Sequence, residues 1–322
     1  MPALKRIGLL TSGGDSPGMN ACIRAVFHEA SQQGIEIVAF RRGYAGLLDN
    51  DSFIMQPKDV SGIIQKGGTV LLTARCEDFK YEEGQKEGLA NLYKNECDGL
   101  VVIGGDGSFR GAQAISDRGV QVIGIPGTID NDIFGTDMSL GADTSLNSII
   151  EVVDKIKDTA SSHDRTFIVE TMGRGSGYLA LMSAIATGAE AVLIPEVKFD
   201  LDKIAERIQK RYEEGKISNI IIVAEGAATA YHVGRQLSKI AGITYKITVL
   251  GHLQRGGSPS AFDRVLGARL GSEAVLKLLD GASNCMVGIM KNEAVVTSFE
   301  SVFHNKKELG PRLIKLAEDL GR

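Results

Sequence analysis

Leu9-Leu10-Thr11-Ser12-Gly13-Gly14-Asp15-Ser16-Pro17-Gly18 is the stretch on which the fold turns. It ends an unbroken apolar run, Ile7–Leu10, and leads through a glycine loop into a helical pattern. From Met19, apolar residues recur at Cys22, Ile23, Val26, Phe27 and Ala30, one stripe at the helical period, and Gly34 closes it. A strand that feeds a glycine loop and then a helix leaves backbone N–H groups and the helix dipole free for phosphate. Glycines alone are equally consistent with a plain tight turn.

The same unit recurs outward from this stretch. Further unbroken, β-branched runs are Ile35–Phe40, Leu100–Ile103, Val120–Ile125, Phe167–Val169, Ala191–Ile194, Ile220–Ala224 and Ile247–Leu250. Continuous rather than alternating hydrophobicity suits strands buried on both faces of a parallel sheet. Leu146, Ile149, Ile150, Val153 and Ile156 form a second helical stripe. Ser258-Pro259 predicts the start of another helix, a cap followed by proline at its first position, with Phe262, Val265, Leu266 and Leu270 after it. Strand–helix alternation over 322 residues implies an α/β protein with doubly wound, mainly parallel sheets. The second half restarts with strand, glycine loop and helix from Phe167 to Ala186, and a domain break falls near Gly135–Gly141.

Bulk composition narrows the function. Lys and Arg number 36 against 40 Asp and Glu, so the net charge is −4, which disfavours a general nucleic-acid binder. Cys22, Cys76, Cys97 and Cys285 are scattered, the pattern of free thiols in a reducing compartment. The first ten residues hold one short apolar run, so no leader is expected, and no stretch approaches the roughly 18 apolar residues that span a bilayer. A soluble, cytoplasmic protein is the expectation.

Chemistry concentrates in the loops that follow the apolar runs. Gly104-Gly105-Asp106-Gly107-Ser108 has more glycines than a turn requires. Backbone can therefore approach phosphates there, and Asp106 can hold Mg²⁺ beside phosphate oxygens. Pro126-Gly127-Thr128-Ile129-Asp130-Asn131-Asp132 carries two carboxylates two residues apart, which in an extended segment point to one side. Asp130 as a base and Asp132 near a metal suit transfer to a hydroxyl, although an Asx-rich turn looks similar. Arg75, Arg165, Arg174, His252 and Arg255 stand in or beside these loops, and guanidinium groups suit phosphates. Glu225 closes its run and can accept hydrogen bonds from sugar hydroxyls, or be a simple strand-end carboxylate.

In order, TSGGDSPGMN, GGDGS, PGTIDND, DTASSHDR, MGRGSG, VAEG and GHLQRGGSP resemble the bacterial ATP-dependent 6-phosphofructokinases from about Ile7 to past Leu270. The resemblance implies phosphorylation of fructose 6-phosphate at its 1-hydroxyl by MgATP, a glycolytic step, in a homotetramer. It implies two doubly wound α/β/α sandwich (Rossmann-like) domains with mainly parallel sheets: a larger ATP-binding domain, 1–138 plus about 255–302, and a smaller sugar-phosphate domain, 139–254 plus 303–322. It assigns Gly14, Tyr44, Arg75, Cys76, Gly105, Asp106, Gly107 and Ser108 to ATP, and Asp106 to Mg²⁺. Asp130 matches the base, and Thr128, Met172, Gly173, Arg174, Glu225, His252 and Arg255 match the sugar-phosphate site. Arg165 matches an arginine from a neighbouring subunit, and Arg75 and Arg174 would offset charge on the moving group.

Pyrophosphate-using relatives typically carry Asp at the position of Gly107 and Lys at that of Gly127, so ATP is the expected donor and pyrophosphate the alternative. A non-catalytic nucleotide sensor on the same fold is a further alternative, disfavoured by the presence of both Asp130 and Asp132. Three departures stand out. Lys246 replaces a sugar-phosphate arginine, keeping charge without the bidentate fork. Tyr178 stands where many members have Asp. Arg24, Lys157, Glu190 and Lys216 keep the family's effector pattern, whereas His28, Pro57 and Glu214 replace its cations. Weak or altered regulation by ADP and phosphoenolpyruvate is expected.

Overall fold

The computed structural model describes residues 4–160, 165–216 and 218–321. Residues 161–164 of the DTASSHDR motif lie outside them. The chain begins β1 (Arg6–Thr11), α1 (Met19–Gln32), β2 (Glu36–Phe40), α2 (Tyr44–Leu48), β3 (Ser52–Ile54). It continues α3 (Glu82–Lys94), β4 (Gly99–Gly104), α4 (Asp106–Ser116), β5 (Gln121–Pro126), α5 (Ala142–Ala160). Next come β6 (Arg165–Thr171), α6 (Tyr178–Thr187), β7 (Ala191–Leu193), α7 (Leu201–Glu213), β8 (Ser218–Ala224), α8 (Ala230–Ala241) and β9 (Tyr245–Val249). Last are α9 (Ala261–Leu279), β10 (Cys285–Met290), β11 (Glu293–Ser298), α10 (Phe299–His304) and α11 (Pro311–Leu320).

Two compact units result. One comprises Met1–Ile129, Ile133–Thr144 and Arg255–Lys307. Its seven-stranded sheet has the order β11-β10-β5-β4-β1-β2-β3. The five inner strands pair in parallel, and only the edge pairs β10–β11 and β2–β3 are antiparallel. Successive residues of a strand face opposite sides. Leu9 and Val101 accordingly pack with α1 and α9 on one face, while Leu10, Leu100 and Val102 pack with Phe40, Leu92, Phe109 and Phe299 on the other. That two-sided burial is the physical reason for the unbroken apolar runs. Gly267 and Gly271 bring α9 tight against α1, because a Cβ at either would lie 2.9 Å from the Gly18 carbonyl or 2.6 Å from that of Cys22.

The other unit comprises Asp130–Asp132, Ser145–Gln254 and Glu308–Arg322. Its four strands pair in parallel in the order β7-β8-β6-β9. Ile168, Leu193, Ile221 and Val223 pack against Ile204 and Ile208 of α7 and Val233 and Leu237 of α8. Helices α6 and α11 pack on each other, and α11 also packs on β7.

Two local expectations are corrected. The cap of α9 is Ser260, whose Oγ accepts from the Asp263 N–H at 3.2 Å, and not Ser258. Ser258 is occupied elsewhere: its Oγ donates to the Gln65 carbonyl and accepts from Arg264. The segment 129–132 is not extended, since Ile129 and Asp130 form a turn and Asn131 takes the left-handed conformation, φ 49°. Strand alternation therefore does not align Asp130 with Asp132. Among the described residues, no helix is long and apolar enough to cross a membrane.

Candidate active site

Strand order places the main cavity. From β1 the chain winds through α1 to β2 on one side, and later from β4 through α4 to β5 on the other. The sheet therefore changes direction between the neighbours β1 and β4, and a crevice opens beyond their carboxyl ends. A cavity of about 660 Å³ lies there, within the range of small-molecule sites. Ser12–Asp15 follow β1, Gly105, Gly107 and Ser108 follow β4, and Gly127–Ile129 follow β5; all line it. Tyr44, Arg75, Cys76 and Arg255 complete the expected residues on its wall.

Two features suit a polyphosphate. No side chain caps α4 at Gly105; the Ser108 N–H donates to the Gly105 carbonyl at 3.0 Å, and the N–H groups of Asp106 and Gly107 are left to face an anion. Four cations, Arg75, Lys80, Arg110 and Arg255, line the wall against the carboxylates of Asp15 and Glu77. The Arg255 guanidinium lies over Gly14, with one terminal nitrogen 1.9 Å from where a Cβ would sit, so a side chain there would displace it. Its Nε is buried and has no hydrogen-bond partner.

Part of the wall is aromatic. Tyr44 is buried and stacks on Phe79, ring centroids 4.1 Å apart, and its hydroxyl donates to the Ser108 carbonyl at 2.6 Å. Burial holds its phenol pKa well above the ordinary tyrosine value. Tyr44 thus ties the start of α4 to the wall rather than offering a free hydroxyl. Half-buried Cys76 has its thiol pKa raised, chiefly by burial.

Phe79, Lys80 and Arg110 were not foreseen from the sequence. Phe79 is one buried aromatic in a charged 78–80 turn, a weak local signal. Arg110 stands one helical turn after Asp106, pairs with it at 3.2 Å and lies over the Phe303 ring at 4.5 Å. Asp106 does not line the cavity itself but heads the helix whose next two residues do, and its side chain is 47% exposed. That exposure and the open space around Gly107 leave it room for a hydrated cation held jointly with phosphate. Among the described residues, no cluster of three His, Cys, Asp or Glu stands ready to hold a metal alone.

The segment after the cavity carries Asp130, half-buried, and Asp132, exposed. In the four-stranded unit the predicted residues fall into two groups. Met172, Gly173 and Arg174 follow β6, Glu225 follows β8, and His252 follows β9, all beyond carboxyl ends. The 172–177 loop is tied to the segments after β8 and β9: the Met172 N–H donates to the Gln254 side chain at 3.1 Å and the Gly226 N–H to the Gly173 carbonyl at 3.2 Å. Arg174, Glu225 and His252 are left exposed. Arg165 and Lys246 are also exposed but lie at the amino ends of β6 and β9, with Lys246 paired in register to Phe167. Tyr178 begins α6 and is half-buried.

The effector candidates are engaged locally. Glu190 accepts from Arg211 at 2.6 Å and from the Ile220 N–H at 2.5 Å. Lys216 pairs with Glu214 at 3.3 Å, and Lys157 donates to the Thr187 carbonyl. Arg24 and His28 lie half-buried on α1, where burial first and Arg24 second lower the His28 pKa. Pro57 opens a short 3-10 turn.

Comparison with known proteins matches this architecture. The phosphofructokinase family model covers residues 6–278. A relative from Halalkalibacterium halodurans, named ATP-dependent 6-phosphofructokinase, is 51% identical over 98% of this chain and 99% of its own length. Proteins of the same name from Halothermothrix orenii and Thermotoga neapolitana are 49% and 50% identical over the same shares. The solved phosphofructokinase of Saccharomyces cerevisiae superposes with a TM-score of 0.87 at 37% identity, over 98% of this chain and 48% of that one. A pyrophosphate-dependent phosphofructokinase from Marinobacter aquaeolei shares the fold, TM-score 0.85, at 22% identity. The crevice at the β1–β4 switch point, its glycine loops and these matches together establish that the chain belongs to the phosphofructokinase family.

Proposed function

We propose that this chain is an ATP-dependent 6-phosphofructokinase, transferring the γ-phosphoryl group of MgATP to the 1-hydroxyl of fructose 6-phosphate. The observation that carries the reading is the cavity itself. It joins a glycine loop, an uncapped helix N-terminus and four cations, and its wall residue Ile129 is followed directly by Asp130. About 50% identity to relatives named for this activity supports it.

In the proposed mechanism the transfer is direct and in line, with no phosphoenzyme. Gly14, Gly105, Gly107 and Ser108 offer backbone to the phosphates, and Tyr44, Arg75 and Cys76 border the nucleotide. Asp106 and Asp132 would hold Mg²⁺, which when bound neutralises charge on the phosphates. Asp130 takes the proton of the sugar hydroxyl, and Thr128 lies beside the transferred group. Arg75 and Arg174 stabilise the charge that develops on it. Met172, Gly173, Glu225, His252 and Arg255 serve the sugar phosphate. Arg165 and Lys246 sit at the other end of their strands from Arg174 and Glu225. We therefore assign them to the active site of an adjacent subunit in a homotetramer, which acts in the cytoplasm.

Purified protein with fructose 6-phosphate and Mg²⁺, given ATP or pyrophosphate in parallel and followed through aldolase coupling, tests the reading. Turnover with ATP alone is expected. Turnover with pyrophosphate alone would overturn the donor assignment, and silence with both, in folded protein, would favour a nucleotide sensor.

Regulation is expected to be weak. His28, Pro57 and Glu214 remove cations from the effector set, and Glu190, Lys157 and Lys216 already have partners within the fold. At low fructose 6-phosphate, ADP should raise the rate by less than about twofold. Saturable activation well beyond that would show the remaining cations to be sufficient.

A further inference from the structure

Asp263, in the first turn of α9, is fully buried. Its Oδ1 accepts from the Gly141 N–H at 2.9 Å, and its Oδ2 accepts from the Thr144 N–H at 2.8 Å and the Thr144 hydroxyl at 2.5 Å. Both oxygens accept, so the arrangement fits a carboxylate that bears no proton, and burying one is costly unless it is bonded in this way. Burial pushes its pKa up, and the three donors oppose that shift. Asp143 adds to the upward shift and itself accepts from the Ser260 hydroxyl at 2.5 Å. The Ser260 N–H in turn donates to the Thr144 hydroxyl at 2.9 Å. The first turns of α5 and α9 therefore cap each other.

More than two helix ends meet at this carboxylate. Gly141 adjoins Leu140, whose N–H donates to the Pro126 carbonyl at 2.9 Å, and Ser139, whose hydroxyl donates to the Thr128 carbonyl at 2.7 Å. A Cβ on Gly141 would come within 2.6 Å of Ser16, and one on Gly18 within 3.2 Å of the Asp263 carbonyl. The strip 139–141, which sets the height of Thr128, is thus held between Asp263 and the end of the glycine loop after β1. Arg255 lies only five residues before Ser260. One buried side chain thus ties the segment between β5 and α5 to the start of α9, beside the loop after β1.

We propose that Asp263 is a positioning residue for phosphoryl transfer, holding the 126–141 strip and the glycine loop in their reactive registers. The inference rests on the phosphofructokinase reading given above. In Asp263→Asn the amide keeps one acceptor and turns a donor toward N–H groups, so the strip loosens without any loss from the cavity wall. Reaction geometry is sensitive to shifts of about 1 Å, which can cost on the order of a hundredfold in rate. Asp263→Asn should lower kcat at least about tenfold while KM for ATP and for fructose 6-phosphate stays within about threefold.

Ser298→Ala removes the α10 cap, a 3.2 Å bond to the Ser301 N–H, and serves as the comparison: it should lower Tm but leave kcat unchanged. Ser139→Ala removes the hydroxyl that donates to the Thr128 carbonyl and should lower kcat several-fold, which keeps the inference testable should Asp263→Asn fail to fold. Asp263→Asn with a lowered Tm and kcat within about twofold of wild type would reduce Asp263 to a helix cap. Unchanged kcat in Ser139→Ala would overturn the inference equally. Inactive wild type overturns the parent reading and this one together, whereas active wild type with unaffected variants overturns this one alone.

Discussion

Replacing Asp130 with serine is expected to lower kcat by about two to four orders of magnitude, the usual worth of a positioned general base. A sugar hydroxyl is a poor nucleophile until its proton has somewhere to go, and serine cannot take that proton at neutral pH. Substrate binding should change little, because the cavity wall is supplied by other residues, so the loss should appear in kcat rather than KM. Asp130 sits in a turn and is only half-buried, so stability should hold. Steady-state kinetics with both substrates varied, beside a thermal melt, would check this. An Asp130→Ser enzyme that keeps full kcat would remove the base from the mechanism and leave positioning and charge stabilisation to account for catalysis.

Gly107→Asp should abolish most use of ATP without harming the fold. A Cβ at this position meets no atom within 4 Å, so the substitution carries no steric cost. Residue 107 is the second position of α4, where a carboxylate also suits the helix dipole, so Tm should be constant or slightly higher. Its charge, however, would project into the space assigned to the phosphates. A hundredfold fall in kcat/KM for ATP corresponds to about 2.7 kcal/mol, a modest demand for like charges brought together in a partly enclosed site. Gly127 is different, because a Cβ there would sit 2.9 Å from the end of Met19 and 3.2 Å from Ile103. The two glycines look alike as markers of donor choice, but only Gly107 borders open space. If kcat/KM for ATP stays within about threefold in Gly107→Asp, the phosphates do not pass over α4.

Much of the fold was legible because two-sided burial writes itself into a run of four to six residues. The eight apolar runs correspond to β1, β2 and β4 to β9. The hairpin β10–β11 escaped notice. Its second strand lies at the sheet edge and is only partly buried, so it writes no apolar run. Its turn, Lys291-Asn292, has both residues at positive φ without the glycine that usually marks it. The choice between Ser258 and Ser260 as the α9 cap was equally invisible. It depends on Gln65, nearly two hundred residues away, which engages Ser258.

By itself the sequence determined the α/β class, the loops that carry chemistry and the family, because each depends on residue types at short fixed spacings. Tertiary structure alone decided which of those loops meet. The reversal of strand order between β1 and β4 gathers residues 12–15, 105, 107, 108, 127–129 and 255 on one cavity, and strand order is a matter of long-range pairing. Parallel pairing in the four-stranded sheet puts Arg165 and Lys246 at its amino end and Arg174 and Glu225 beyond its carboxyl end. Asp263 reads in sequence as an ordinary first-turn acid of a helix. Burial and three donors from a segment about 120 residues earlier give it a different part to play.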